Sequence, residues 1–263
     1  MDELVQAYLD YLRIERGMSE NTLKTYARSL RTLPNAATAT REDVEAWWRS
    51  RAHLAPSSRG NELTAIREFY HWTRVWEHRG ATDDPTHRIV APKIPQTLPR
   101  PISRAELHTL LDVLVPDLRR AVCLGAYAGL RVSEAAGQDW ADMDLEMHRI
   151  RVHGKGDKTR LVGLSPVLLD SLLPNTGGNI VTAGGKPYTA QVLARKVNRA
   201  FAAAGVHATF HQLRHRFGTM ALAGTSNLLA VSRAMGHASP ATTAIYAATS
   251  DAELDVISDA VTR

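Results

Sequence analysis

The chain has 263 residues, with 44% hydrophobic and 22% charged side chains, which is ordinary globular usage that excludes wholesale disorder and allows one large domain or two modest ones. Its single cysteine, Cys123, excludes a disulfide scaffold and a zinc finger. The formal net charge of +5 is unevenly spread: residues 1–92 hold 13 Lys/Arg against 13 Asp/Glu, whereas residues 149–233 hold 12 against two, Asp157 and Asp170. Such a local excess fits either a polyanionic partner or a solvated basic surface. The opening residues MDELVQAYLD lack the basic and apolar regions of a secretory signal. No apolar run reaches the roughly 18 residues of a membrane span, so a soluble, cytoplasmic protein without a membrane partner is expected.

In chain order, Leu4, Ala7, Tyr8, Tyr11 and Leu12 follow a helical repeat. Gly17 ends that helix and Ser19 can cap the next. The second helix places Leu23, Tyr26, Ala27 and Leu30 on one face and the basic stripe Lys24, Arg28 and Arg31 on another. A third helix starts at Thr40, with Asp43 completing a capping box. A fourth covers about 58–76 and buries Leu63, Ile66, Phe69 or Tyr70, and Trp72 or Trp76.

Residues 91–101 contain four prolines in eleven positions, a connector that cannot continue a helix. It separates a helical module, 1–90, from a second domain, 102–263. The second domain opens with the capping box Ser103-Arg104-Ala105-Glu106, followed by helices near 104–114 and 117–128, the latter stopped by Gly129. Arg149–His153 and Thr159–Leu164 alternate as strands around the turn Gly154-Lys155-Gly156-Asp157. Helices are predicted near 189–204, 211–223, 226–235 and 240–248, with a tail helix from Asp251 whose Leu254, Ile257 and Val261 share a face. The fold class is mainly α with a small β-hairpin.

Several clusters could carry chemistry. Arg131 lies in Gly129-Leu130-Arg131-Val132-Ser133-Glu134, just after a helix-ending glycine. Lys155 sits between glycines at a turn, flanked by Lys158 and Arg160. His211-Gln212-Leu213-Arg214-His215 places His211 beside Arg214 and His215 on a helix. His207, His211 and His215, spaced by four, also fit a zinc helix, but Gln212 stands where a zinc protease needs Glu. Met235-Gly236-His237 is followed nine residues later by Tyr246. Each piece alone reads as an ordinary surface or half-buried residue. Together they are an inventory for metal-free phosphodiester transfer. Arginines grip non-bridging oxygens bidentately, a histidine moves a proton near neutrality, a lysine protonates a leaving alkoxide, and a tyrosine attacks phosphorus. With a pKa of about 10, that tyrosine needs cations and a base to assist it.

In these residues the chain resembles the tyrosine recombinases of the phage integrase and Xer-like family, over nearly its whole length. The resemblance implies that Arg131, Lys155, His211, Arg214 and His237 are catalytic, that Tyr246 is the nucleophile, and that Glu134 and His215 support them. Met235 replaces the family's usual leucine, a volume-conserving change. It implies a helical core-binding domain and a catalytic domain closing as a C-shaped clamp on double-stranded DNA, in a short form without an arm-binding domain. Lys24, Arg28, Arg31, Lys158, Arg160, Arg195, Lys196 and Arg199 are then candidate DNA contacts. The implied reaction passes through a 3′-phosphotyrosine and uses no cofactor or metal. Four protomers act on two duplexes, with a monomer free in solution and a directionality factor as a candidate accessory partner. The tail helix docks either on a neighbour, as in the family, or on its own domain. Integration or excision of a phage or mobile element is the first reading, and Xer-type dimer resolution the alternative. A type IB topoisomerase and a non-catalytic DNA-binding regulator are the rivals.

Overall fold

A computed structural model of the chain describes residues 2–76, 84–94, 100–154, 158–174, 177–237 and 242–243. It divides into two compact units, residues 1–96 and 97–263, and the division falls within the proline-rich stretch.

The first unit is helical: α1 (Glu3–Ile14), α2 (Glu20–Arg31), α3 (Arg41–Ser50) and α4 (Pro56–Val75). Local chemistry sets the starts. The Asp2 carboxylate accepts from the Leu4 N–H at 3.0 Å, and the Ser19 hydroxyl from the Thr22 N–H at 3.3 Å. Thr40 and Asp43 cap each other at 2.8 and 3.2 Å, and Pro56 begins α4 where no N–H partner is needed. The core gathers Tyr8, Leu30, Val44, Leu63, Ile66, Phe69 and Tyr70. The Tyr70 hydroxyl donates to the Ala36 carbonyl at 2.8 Å, and the Trp47 indole N–H to Thr32 Oγ1 at 2.9 Å, so the polar tips of these two rings are satisfied. Trp72 is buried and Trp76 is half exposed. The buried face of α1 is Val5, Tyr8, Leu9 and Leu12, whereas Ala7 is exposed and Leu4 and Tyr11 pack at the edge.

In the second unit, α5 (Arg104–Val113) opens on the Ser103–Glu106 box and leads into α6 (Pro116–Ala128). Helix α6 is buried along most of its length, at Leu118, Ala121–Ala126 and Ala128, so it forms the spine of this unit's core. Short α7 (Val132–Ala136) precedes a three-stranded antiparallel sheet of β1 (Met143–Asp144), β2 (Arg149–His153) and β3 (Thr159–Gly163). Cross-strand pairs Ile150↔Val162 and Val152↔Arg160 share the inner face. Next come α8 (Pro166–Leu172), a ribbon of β4 (Thr182–Ala183) and β5 (Lys186–Pro187), α9 (Ala190–Ala203), α10 (Phe210–Thr225) and α11 (Leu228–Met235). Of the predicted 240–248 helix only 242–243 are described, and the predicted tail helix lies outside the described residues. Among the described residues no helix is long and apolar enough to cross a membrane.

Candidate active site

Helix α6 ends at Gly129, whose φ of 67° lies in the left-handed region; a Cβ there would overlap the Phe217 ring of α10. The turn delivers Arg131 to the N-cap of α7 and Glu134 to its third position. Glu134 Oε2 accepts from the Arg131 backbone N–H at 2.7 Å, and Oε1 accepts from Arg131 Nη1 at 2.9 Å. The same carboxylate meets Arg160 of β3 as a fork, Nη1 to Oε1 and Nη2 to Oε2, each at 2.9 Å. Arg214 Nη1 lies 3.9 Å from Oε2. Three guanidinium groups therefore surround one carboxylate that is only 4% exposed. Burial alone would raise the Glu134 pKa; hydrogen bonds from Arg160 and Arg131 overcome it and hold the group at about 2.

The three arginines also share the end of α11. Arg160 Nε donates to the Ala234 carbonyl at 2.8 Å, Arg214 Nη2 to Met235 at 2.6 Å, and Arg131 Nη2 to Gly236 at 3.2 Å. Three successive carbonyls that a helix end leaves without intrahelical partners thus each receive a different guanidinium. Arg214, 1% exposed, also donates through Nη1 to the Gly129 carbonyl at 2.6 Å, bridging the ends of α6 and α11. Gly236 turns the chain with φ 64°, and a Cβ there would stand 3.0 Å from Arg160 Cδ.

That turn presents His237. Its backbone N–H donates to the Ser232 carbonyl at 3.1 Å, and its Nδ1 lies 2.7 Å from Thr243 Oγ1. Burial, then the charges of Arg214, Arg131 and Arg160, push its pKa down to about 4, so the ring is neutral at pH 7. His211 stands in the first turn of α10; loss of water around its ring, then Arg214 and Arg131, lower its pKa. His215 meets it edge to face, with centroids 4.4 Å apart, and is held at about 4 by burial and then by His211 and Arg214.

Gln212 caps α10: its Oε1 accepts from the Thr209 N–H at 2.7 Å and its Nε2 donates to the Arg100 carbonyl at 3.1 Å. His207 precedes the helix, so His207, His211 and His215 do not line one helical face. Among the described residues no group of three or more His, Cys, Asp or Glu is placed to hold a metal ion.

Of the residues singled out in the sequence, Arg131, Glu134, His211, Arg214, His215 and His237 come together here. Lys155 and Tyr246 lie outside the described residues; on either side of the former, the Gly154 N–H donates to the Lys158 carbonyl at 2.7 Å. Lys158 is exposed, as are Lys24, Arg28 and Arg31 on α2 and Arg195, Lys196 and Arg199 on α9. Arg160, expected among the DNA contacts, lies on the inner face of β3. Its side chain is 11% exposed and all three guanidinium nitrogens bond within the protein. Its place was readable from strand alternation, which puts residue 160 on the same face as buried Val162. Thr243, the partner of His237, belongs to the Thr242-Thr243 pair that precedes Tyr246 in the sequence, a signal that marked the tyrosine but not this contact. The assembled cluster is a cationic socket in which Arg131, 40% exposed, faces solvent beside neutral imidazoles, an arrangement able to receive a phosphate and move a proton.

Known proteins bear on this arrangement. Residues 101–253 match the profile of the phage integrase family, and residues 5–77 match the phage integrase N-terminal SAM-like domain. The chain is 31% identical to tyrosine recombinase XerC of Escherichia coli O139:H28, covering 92% of this chain and 90% of that protein; XerC of Escherichia fergusonii matches equally. In fold it is similar to lambda integrase (residues 75–356) bound as a dimer to a core site, with a TM-score of 0.77 at 17% identity and 94% of each chain covered. It is also similar to the XerH site-specific recombinase bound to its difH substrate, with a TM-score of 0.72 at 21% identity over 94% of this chain and 82% of that one. The chain belongs to the tyrosine recombinases of the phage integrase family and is a site-specific recombinase.

Proposed function

We propose that this recombinase cleaves and rejoins DNA through a covalent 3′-phosphotyrosine on Tyr246. The observation that carries the reading is the convergence of Arg131, Arg214, His211 and His237 on one cationic socket. Tyr246 Oη attacks the scissile phosphorus and its proton passes to His211. The bond from phosphorus to the 5′-oxygen breaks, and Lys155 protonates that oxygen. Arg131 and Arg214 offset charge on the non-bridging oxygens, and His237 donates a further hydrogen bond. A 5′-hydroxyl of the partner duplex then attacks the phosphotyrosine and Tyr246 leaves. One phosphodiester replaces another, so no nucleotide is consumed.

The test uses a nicked suicide duplex whose core sequence is selected from a random pool by binding to this chain. Tyr246→Phe should bind it as the native chain does and form no covalent adduct; adducts that survive the substitution reject Tyr246. Within this reading, the chain assembles as a homotetramer on two duplexes in the cytoplasm, and Lys24, Arg28, Arg31, Lys158, Arg195, Lys196 and Arg199 contact DNA. The likeness to XerC over 92% of the chain favours the Xer-type role, resolution of chromosome or plasmid dimers, over integration of a mobile element. Sequenced recombination joints decide: like sites joined to like support resolution, and unlike sites support integration.

A further inference from the structure

Arg160, 11% exposed, bonds to two of the segments that frame the socket, the first turn of α7 and the end of α11. Its fork takes both oxygens of Glu134 at 2.9 Å, its Nε takes the Ala234 carbonyl at 2.8 Å, and its stem fills the space left by Gly236. Glu134 in turn holds Arg131 by side chain and backbone and lies 3.9 Å from Arg214. The Ala234 carbonyl is the first of the three at the end of α11, immediately before the turn that presents His237. Arg160 is the second residue of β3, whose N-terminal end follows Lys158 and, three residues earlier, Lys155 in the sequence. One side chain therefore ties together the sheet, the first turn of α7 and the end of α11. A lysine at 160 could not reproduce this, because one ammonium cannot span two carboxylate oxygens and a carbonyl in the plane of a fork.

We propose that Arg160 is the positioning residue of the phosphate clamp: by gripping Glu134 and the Ala234 carbonyl it fixes Arg131 and Arg214 at the spacing that the transferring phosphate requires. The proposal rests on the strand-exchange reading above. Arg160 does not touch the DNA, so its loss changes the reaction rate and not the affinity for the core site. It acts on the non-bridging oxygens, so its loss is independent of how the leaving oxygen receives its proton.

The experiment measures single-turnover adduct formation by the full chain on two nicked suicide duplexes carrying the selected core. In the second, the scissile 5′-bridging oxygen is replaced by sulfur, whose thiolate leaves without an acid. Arg160→Lys should form the adduct on the order of 100-fold more slowly on both duplexes, the scale expected from a misplacement of about 1 Å. Core-site binding should be unchanged. Lys155→Ala, by contrast, should recover on the sulfur duplex. The double variant Arg160→Lys with Glu134→Gln should be slowed by less than the product of the two single effects, since both act in part through one carboxylate.

An Arg160→Lys chain that cleaves at the native rate overturns the proposal. So does a deficit that vanishes with sulfur, because Arg160 would then serve the leaving group. Weakened core binding with a native rate of cleavage would return Arg160 to the DNA-contacting set. If Arg160→Lys fails to fold, judged by its thermal melt, the nearly isosteric Glu134→Gln carries the test. A native cleavage rate in that variant also overturns the proposal. Absence of adduct from the native chain overturns the strand-exchange reading itself.

Discussion

His237 is a basic group held neutral by its surroundings, with burial first and the neighbouring arginines next pressing its pKa to about 4. Titration of the labelled ring by NMR should show a midpoint near pH 4 in the free protein, moving upward when a duplex brings a phosphate to the socket. A midpoint near the ordinary histidine value, about 6.5, would contradict the cationic socket. His215 is depressed in the same way, so the unfolded chain binds more protons than the folded one between pH 6.5 and about 4. These two groups contribute stability that is present above pH 6.5 and lost as pH falls through about 4; Glu134 adds a second loss, below its ordinary range and toward about 2. At this scale the sequence was most and least informative at once. The spacing of Arg131, His211, Arg214 and His237 marked the cluster before any geometry. Arg160 was grouped with surface cations because charge was read without the strand's inward face, which residue 160 shares with Val162.

Helix ends build the site more than helix bodies do. Gly129 closes α6, offers its carbonyl to Arg214, and leaves room for Phe217. Gly129→Ala should destabilise the second unit by at least about 1–2 kcal/mol, the cost of a side chain in the left-handed region, with the overlap against Phe217 added to it. Equilibrium urea unfolding checks this, and a native midpoint would show that the turn relaxes freely. The caps Ser19, Thr40–Asp43 and Ser103–Glu106 were legible because a cap is a local contract between neighbours in sequence. The phase of α1 was not. Leu4-Val5 and Tyr8-Leu9 are apolar doublets, so two helical phases satisfy the same repeat, and packing against α2 and α4 selects Val5 and Leu9 over Leu4 and Ala7. Strands β1, β4 and β5 are two residues each, too short for any alternation to register, and α8 is held by the core beneath Leu168 and Leu172.

Across the molecule, every described residue of the cationic socket belongs to the second unit, which also holds most of the excess of positive charge. The first unit carries a net charge of only +1 and holds its candidate DNA contacts as a local stripe on α2. The socket itself is assembled from distant segments: Arg160 and Glu134 are 26 residues apart, and Arg160 and Ala234 are 74 apart. A Glu134 carboxylate buried before its cations arrive would be an unpaired charge in the core, which is strongly unfavourable. The expected order is that the charged knot closes late, after the sheet and α11 are in place. In a denaturant chevron of the full chain, Arg160→Met should steepen the loss of the native state by raising the unfolding rate, with the refolding arm superimposing on that of the native chain. A slowed refolding arm would instead put the knot in the folding nucleus. With the refolding arm unchanged, the grip proposed to hold the phosphate clamp doubles as a latch, one that governs how long a folded copy survives without influencing how quickly a new one forms.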